Sequence, residues 1–404
     1  MESRDTPRRR NDGGETVVGS AAAEPGAGLM RISRNQVIAY RVAVQGLHRE
    51  AGAIGDLAIL DIGVQEAMGH PAALAFAARL PADVDLGPDA IAVGPSHRLA
   101  LAWTLRGAPH VHRRADLNAL GAALWPLSEA DAAGRLNETA PSVKRAGIAA
   151  LDQFETAVKE MRAVVTSATA KGAASTAVSK RLPKVMLRDC RACNAKHISD
   201  SAMRAAMLGA GLEIEPDTAP PVLLRRKGAK LPSRPDPKAL ARLAREYVTL
   251  LGPATVSEFA GYIGARRADV SEVWPHDLTE VTIDGRRAWL PADRLDALRD
   301  APEPDLVRLL GPFDPYLQAR DRDLIVPDKA VQKTLWPVLG RPGALFVEGE
   351  IAGTWRTKSS GRKLTITVEA FGPLPASVWK QVDAEAERIA EVRAAKDVTV
   401  TQKK

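Results

Sequence analysis

Two cysteines and one histidine are the residues of this 404-residue sequence whose types and spacing most directly suggest chemistry. Cys190 and Cys193 are separated by two residues, and His197 follows four positions later. Thiolates and an imidazole at this spacing are ligands that suit a tetrahedral Zn²⁺ ion. A structural zinc site normally has four protein ligands, and the sequence offers no evident fourth. The sequence therefore favours two reduced thiols, and we expect no bound metal or other cofactor.

A second pair of imidazoles, His110 and His112, alternates along a predicted strand, so both side chains share one face. They can contact phosphate, contribute to a metal site or cap the rim of a hairpin. Because no third ligand lies near them in the sequence, a metal site is the weaker of these interpretations.

Basic residues are grouped where they can contact a polyanion. The net charge of +7 and the pI near 9.4 also favour an acidic partner such as nucleic acid. Cations in such groups neutralise phosphates without reading base sequence, although any one group can also be a solvated face. The candidate DNA-binding residues are Lys171, Lys180, Arg181, Lys184, Arg286, Arg287, Arg356, Lys358, Arg362 and Lys363.

The composition is that of a soluble globular protein, with 45% hydrophobic and 26% charged residues. No apolar run is long enough for a membrane span, and the basic N-terminal segment lacks the apolar stretch of a signal peptide. Two cysteines fit a reducing compartment. We therefore expect a cytoplasmic protein, associated with the nucleoid when bound to DNA. An aromatic content of 4% argues against a single-strand binder that stacks bases on aromatic side chains.

The elements that must position these residues are clearest in residues 252–290. Thr255 and Glu258 have the spacing of a capping box, which predicts the start of a helix, and Gly264 predicts its end. A short second helix follows, and Asp284-Gly285 between two β-prone runs predicts a hairpin. With an amphipathic helix at 237–251 before it, the order is helix, helix, helix, hairpin, which is a winged helix-turn-helix.

Helices followed by a hairpin recur in two earlier parts of the chain. The predicted fold is therefore mainly α with β-hairpin wings (α+β), built from three tandem winged helix-turn-helix modules, and the chain should form more than one core. Nothing resembles a dedicated dimerisation helix, so we expect a monomer. The predicted ranges are a disordered basic tail at 1–28, modules at 29–140, 141–228 and 236–300, a C-terminal β-hairpin and helix region at 305–396, and a frayed tail at 397–404.

Several short motifs together resemble a known family of bacterial winged helix DNA-binding domain-containing proteins, which includes the AlkZ-type and YcaQ-type DNA glycosylases. The motifs are Gly-Val-Gln at 63–65, Trp-Thr-Leu-Arg-Gly-Ala-Pro-His at 103–110, Gly-Pro-Ala-Thr at 252–255, Asp-Arg-Asp-Leu at 321–324 and Gly-Thr-Trp-Arg at 353–356. The resemblance extends from about Arg31 to Ala395. It implies three winged-helix units around a concave DNA channel, with a β-rich element near the C-terminus.

The glycosylases of this family carry a Gln-x-Gln or Gln-x-Asp motif that helps to orient the attacking water and the sugar. The resemblance places its first residue at Gln65, but Ala67 occupies the second position. Glu66 lies between them, and one position on a helix is about 100° of rotation, so its carboxylate cannot simply replace the missing side chain. The candidate catalytic residues are Gln65 and Glu66, and the alternative is a helix-end pair without a role.

The function predicted from these observations is binding of double-stranded DNA, damaged duplex included, with low sequence specificity. The chain resembles the DNA-repair glycosylases but carries a degenerate Gln-x-Gln motif. One alternative is an active glycosylase that excises alkylated or crosslinked bases. The other is a winged-helix scaffold that binds proteins.

Overall fold

The computed structural model describes residues 30–87 and 91–403, and the predicted tail at 1–28 lies outside them. The fold combines helices with several sheets, as the α+β class requires. The helices are α1 (Arg34–Val44), α2 (Pro71–Ala77), α3 (Leu117–Ala123), α4 (Glu129–Arg135), α5 (Ala140–Arg145), α6 (Ala150–Val164), α7 (Lys171–Ser179), α8 (Asp200–Ala206), α9 (Pro237–Leu251), α10 (Val256–Ile263), α11 (Arg267–Ser271), α12 (Leu295–Arg299), α13 (Arg322–Ile325), α14 (Lys329–Leu335) and α15 (Ala376–Val392).

The strands form four sheets, with orders β1-β10-β11, β12-β13-β14-β15-β16, β2-β4-β3-β8-β9-β5 and β6-β7. They are β1 (Met30–Ile32), β2 (Val64–Gln65), β3 (Leu99–Trp103), β4 (Pro109–Arg113), β5 (Thr169–Ala170), β6 (Arg188–Cys190), β7 (Ala195–His197), β8 (Leu212–Glu215), β9 (Val222–Arg225), β10 (Leu278–Ile283), β11 (Arg286–Pro291), β12 (Val307–Leu310), β13 (Gly343–Val347), β14 (Glu350–Ser360), β15 (Lys363–Ala370) and β16 (Asp397–Gln402).

The local signals in residues 252–290 are confirmed. The Thr255 side chain accepts from the Glu258 backbone N–H, and the Glu258 carboxylate accepts from the Thr255 N–H, so the capping box begins α10. Gly264 ends that helix in the left-handed conformation, with φ of 78°. Asp284 and Gly285 form the turn between β10 and β11. β1 then adds to this hairpin in parallel, with Met30 opposite Val281.

The hairpins predicted for residues 29–140 and 141–228 belong to one six-stranded sheet. β3 pairs with β8 through Leu101 and Ile214, which joins the two hairpins edge to edge. Buried residues of both ranges also belong to one hydrophobic cluster. The strands of these two predicted modules therefore share a core. The division into three tandem modules stays a prediction.

The C-terminal region contains more strands than a single β-hairpin, and its last residues differ from the prediction. Residues 345–356 form two strands, because Glu348 and Gly349 adopt positive φ and turn β13 into β14. The predicted frayed tail at 397–404 instead contains β16, which pairs in parallel with β15. The reason is an alternating pattern: Val398 and Val400 pack against the core, while Thr399 stays exposed.

Buried ion pairs connect distant parts of the chain. Arg79, just after α2, makes two hydrogen bonds of 2.8 Å to the Asp314 carboxylate, and both side chains have no exposed surface. Arg41 in α1 binds Asp321 through distances of 3.0 and 2.6 Å. Asp321 belongs to the Asp-Arg-Asp-Leu motif, so a residue of this motif forms an ion pair with α1.

None of the described helices is long and apolar enough to span a membrane.

Candidate DNA-binding surface and active site

Gln65 and Glu66 lie at the end of a strand, not at the end of a helix. Gln65 is the last residue of β2 and pairs with His110 of β4. The Glu66 backbone N–H then donates to the Pro109 carbonyl at 2.8 Å. Adjacent residues of extended backbone point to opposite sides. The sequence analysis assumed a helix, in which the Gln65 and Glu66 side chains would differ in direction by about 100°. That assumption is wrong, and in the strand the two side chains point further apart.

Glu66 lines a cavity of about 670 Å³ beside the six-stranded sheet. Phe76, Leu101 and Val111 give this cavity an apolar wall, and His70 and Asp217 lie at its polar side. Gln65 is not among the residues that line it. A volume of this order is typical of pockets that hold small organic groups. The two candidate catalytic residues are therefore not at one site, and of the two only Glu66 lines the cavity.

The surroundings of Glu66 favour its neutral form. Burial, and to a smaller extent the charge of Asp217, raise the pKa of Glu66 to about 7, against the opposing effects of the Ala67 N–H and Arg393. The Ala67 N–H donates to the carboxylate at 2.8 Å. Arg393 acts from beyond ion-pair distance, and the burial of its guanidinium lowers its own pKa. A carboxyl group with this pKa exchanges protons near neutral pH, as general acid–base chemistry requires.

His110 and His112 are core residues and not surface ligands. Each has 2% of its surface exposed, and burial lowers the pKa of each to about 3. His110 Nδ1 lies 2.9 Å from the Ala108 carbonyl, and His112 Nε2 lies 3.1 Å from the Thr104 hydroxyl. Both imidazoles are therefore neutral and hydrogen-bonded inside the fold, and contact with phosphate, one of the three alternatives left open by the sequence, does not fit their burial.

Four of the ten candidate DNA-binding residues already have carboxylate partners. Lys171 lies 2.8 Å from Asp200. The other three pairs are Arg181 with Glu160, Arg287 with Glu280, and Arg286 with both Glu258 and Asp321. These ion pairs reduce the positive charge available to a polyanion at each position.

The other six candidates are exposed and make no ion pair with another described residue. Two of them, Lys180 and Lys184, lie at and beyond the end of α7. Arg356 and Lys358 point to the same side of β14, and Arg362 and Lys363 lie at the β14–β15 turn. The C-terminal hairpin therefore presents a continuous cationic surface.

A second group of positively charged residues was not predicted from the sequence. It consists of Arg106, Arg320, Arg322 and Arg341, here called the arginine cluster. Burial and the nearby Arg320 lower the pKa of Arg106. Burial, Arg341 and Arg320 lower the pKa of Arg322, and burial and Arg320 lower the pKa of Arg341. Within residues 30–87 and 91–403, no carboxylate forms an ion pair with any of the four.

The guanidinium groups of the cluster are held by contacts that leave their charge uncompensated. Arg106 and Arg320 donate to the Tyr262 and Gly261 carbonyls. Arg322 lies over the Trp336 ring at 4.8 Å and Arg341 over a phenylalanine ring at 5.4 Å. Arg106 comes from the β3–β4 turn, within the Trp-Thr-Leu-Arg-Gly-Ala-Pro-His motif, and the others from residues 320–341. Only the presence of arginine in the motifs at 103–110 and 321–324 could have indicated this cluster from the sequence.

Cys190, Cys193 and His197 are brought together by the hairpin β6–β7. Their ligand atoms all lie within 4.8 Å of one another. The His197 side chain, followed by the backbone N–H groups of Cys193 and Ala192, lowers the pKa of Cys190 to about 6. Both cysteines are free thiols in this structure.

Comparisons with known proteins point in one direction. The sequence profile of the DNA glycosylase AlkZ-like family matches residues 56–392. The fold is similar to that of the Streptomyces sahachiroi DNA glycosylase AlkZ, with a TM-score of 0.69 over 93% of this chain and 100% of that chain. The sequence identity between the two is 18%, so this likeness concerns the fold. No curated protein sequence matches this chain.

Proposed function

Because the chain belongs to the AlkZ-like family of DNA glycosylases, we propose that it binds double-stranded DNA, damaged duplex included, with little sequence specificity. The observation that carries this proposal is the arginine cluster. Burial and the charge of Arg320 lower the pKa values of Arg106, Arg322 and Arg341. None of the four guanidinium groups has a carboxylate partner among the described residues, so together they form a site for a polyanion. Guanidinium groups bind phosphate in a bidentate manner and read no base edge.

The cationic surface of the C-terminal hairpin extends this contact along the duplex. Arg356, Lys358, Arg362 and Lys363 are exposed and have no ion-pair partner in the described part of the chain. In this proposal the three predicted winged-helix modules form the scaffold that holds both surfaces. Lys180 and Lys184 supply weaker contacts from the middle of the chain.

Salt-dependent binding to a duplex tests this function. Replacing Arg320 and Arg341 by Ala together should reduce the slope of log K against log salt by up to about 1.8, because each lost phosphate contact removes about 0.9. The loss should be the same for duplexes of unrelated sequence. Arg287→Ala is the matched control, because Glu280 already neutralises that arginine. Wild-type binding that is absent or independent of salt would contradict the proposal and favour the protein-binding scaffold.

A second candidate function, excision of an alkylated or crosslinked base, is favoured by the position of Glu66. Its carboxylate lines a cavity of about 670 Å³, and such enzymes must move the base out of the stack into a pocket. In the reaction, Glu66 accepts a proton from water while the water oxygen bonds to C1′. The C1′–N bond breaks, and its electron pair leaves with the base. A base made cationic by alkylation departs neutral and needs no proton.

Base release from duplex carrying alkylated or crosslinked bases tests this second function. The wild-type rate should rise with pH through about 7, because Glu66 must be ionised to accept the proton. Glu66→Gln should abolish release, while Ala67→Gln, which restores the family motif next to Gln65, should raise the rate. Equal rates in wild type and Glu66→Gln, or no release from either, would exclude the role of Glu66 without affecting the proposal of DNA binding. Gln65→Ala separates the contribution of the motif residue from that of the cavity.

A further inference from the structure

The hairpin of β6 and β7 has the donor set of a metal site. We propose that Cys190, Cys193 and His197 bind one divalent cation of the zinc class, with a solvent molecule in the fourth position. Zn²⁺ bonded to sulfur at about 2.3 Å and to nitrogen at about 2.0 Å needs ligand atoms roughly 3.5 to 3.8 Å apart. The three donors lie within 4.8 Å of one another. They therefore need to approach by only about 1 Å, which side-chain rotation can provide.

The backbone of the hairpin turns both cysteines towards the same point. Cys190 ends β6 opposite Ala195 of β7, and Cys193 lies in the connecting turn. Asn194, the next residue, has φ of 48°, a left-handed conformation that asparagine adopts more readily than most residues. This conformation of Asn194 reverses the chain direction directly after Cys193.

The contacts around the donors fix their chemical state. His197 Nδ1 lies 2.6 Å from the Ile198 carbonyl oxygen, so Nδ1 carries the proton and Nε2 keeps its lone pair for a metal. The Ile198 N–H in turn donates to the Ser179 hydroxyl at 2.9 Å, which holds the strand end against α7. Arg188, whose guanidinium also pairs with Glu138, donates from Nη2 to Cys190 Sγ at 3.7 Å.

A cross-link would add to the stability of this hairpin. Each of its strands has three residues, and all six are exposed or half-buried. A two-stranded hairpin without a buried face is marginal in water, and small elements of this kind are commonly stabilised by a metal or a disulfide. The position of His197 beside the two thiols favours a metal over a disulfide, because a disulfide would use only the two cysteines.

Cobalt binding to the full-length reduced protein tests this site. Co²⁺ added to metal-free wild type should give thiolate-to-cobalt charge-transfer bands and intense visible bands of tetrahedral geometry, saturating at one ion per chain. Zn²⁺ should remove these bands. His197→Gln should weaken Co²⁺ binding by more than the roughly 10- to 100-fold that loss of an outer-shell partner costs. His276→Asn, at an exposed histidine away from the hairpin, should leave binding unchanged.

A second measurement needs no variant. The two cysteines are the only ones in the sequence, so titration of both thiols with a mercurial should release one zinc ion per chain from the purified protein. Wild type without cobalt bands, bands that persist in Cys193→Ser, or thiols recovered as a disulfide that never binds metal would each overturn the proposal. None of these outcomes depends on whether the protein binds DNA.

Discussion

Two sets of arginines in this molecule have opposite environments. Arg79 is fully buried and shares two hydrogen bonds with Asp314, which is also fully buried. In the arginine cluster, Arg320 and Arg341 lie close enough for Arg320 to lower the pKa of Arg341, and neither forms an ion pair with a described carboxylate. Both environments hold arginine, but only the charge of Arg79 is balanced by a carboxylate of the protein. The difference supports the proposal that the cluster binds an external anion.

The two hairpins repeat this contrast at the surface. On β11, Arg286 and Arg287 form ion pairs with acidic residues, although a hairpin wing is where phosphate contacts were predicted. On β14, Arg356 and Lys358 have no such partners within the described ranges. The carboxylate partners, more than the hairpin architecture, therefore determine which basic residues we propose as DNA contacts.

Asp314→Ala should give the largest effect. Removing one partner of a buried pair leaves the Arg79 charge uncompensated and should lower the free energy of unfolding by about 3–5 kcal/mol. Denaturant unfolding measures this loss. The salt slope of duplex binding, measured where the variant remains folded, should not change. A reduced slope would mean that the buried pair is not separate from the binding surface.

Glu66→Gln should have an intermediate effect that depends on pH. The raised pKa of Glu66 means that the folded state holds its proton more tightly than the unfolded state. Stability is therefore lost as pH rises from the unfolded pKa of about 4.3 towards about 7. The neutral Gln side chain should raise the free energy of unfolding by ~1–3 kcal/mol at about pH 8. It should leave this free energy unchanged near pH 4, and an equal gain at both pH values would contradict the shift.

Arg320→Ala should have a small effect on stability, in the direction opposite to that of Asp314→Ala. Removing one guanidinium relieves repulsion in the cluster, so the free energy of unfolding should stay constant or rise by up to ~1 kcal/mol. Duplex binding should weaken at the same time. Thermal unfolding at low and high salt measures the repulsion, because salt screens it. A clear loss of stability would show that the cluster is structural.

Arg287→Ala should give the smallest effect. Its ion pair with Glu280 is exposed, and such pairs contribute roughly 0–1 kcal/mol. Replacing Arg356 by Ala should reduce the salt slope of DNA binding, whereas Arg287→Ala should not. Fluorescence anisotropy with a labelled duplex at several salt concentrations compares the two variants directly. Equal reductions would remove the distinction between the hairpins.

The features that the sequence predicted correctly depend on neighbouring residues. Thr255 and Glu258 are three positions apart, and the geometry of one helical turn makes their contact certain once the helix forms. The arginine cluster could not be predicted in this way, because more than two hundred positions separate Arg106 from Arg320 and only the tertiary fold brings them together. The pKa of Glu66 similarly depends on Asp217 and Arg393, which are remote in sequence.

The position of Glu66 shows a different limit of sequence reasoning. A two-residue strand such as β2 has too few residues to display a period, so its pattern did not distinguish strand from helix. By contrast, β16 has an alternating pattern over six residues, and its prediction as a frayed tail was avoidable. The parallel partners of β1 and β16 come from tertiary pairing, which no local signal encodes.

The pairing of β1 with β10 has a consequence for how the molecule is made. Met30 to Ile32 pair with residues 281–283, about 250 positions later, so at ~5–20 residues per second the first strand lacks its partner for roughly 10 to 50 s of synthesis. The strand β16 can join its sheet only after residues 397–402 have left the ribosome. Apolar residues such as Ile32 must therefore stay out of aggregates during that interval. The nascent chain therefore pairs β1 only after residues 281–283 have emerged, and pairs β16 only after residues 397–402 have emerged.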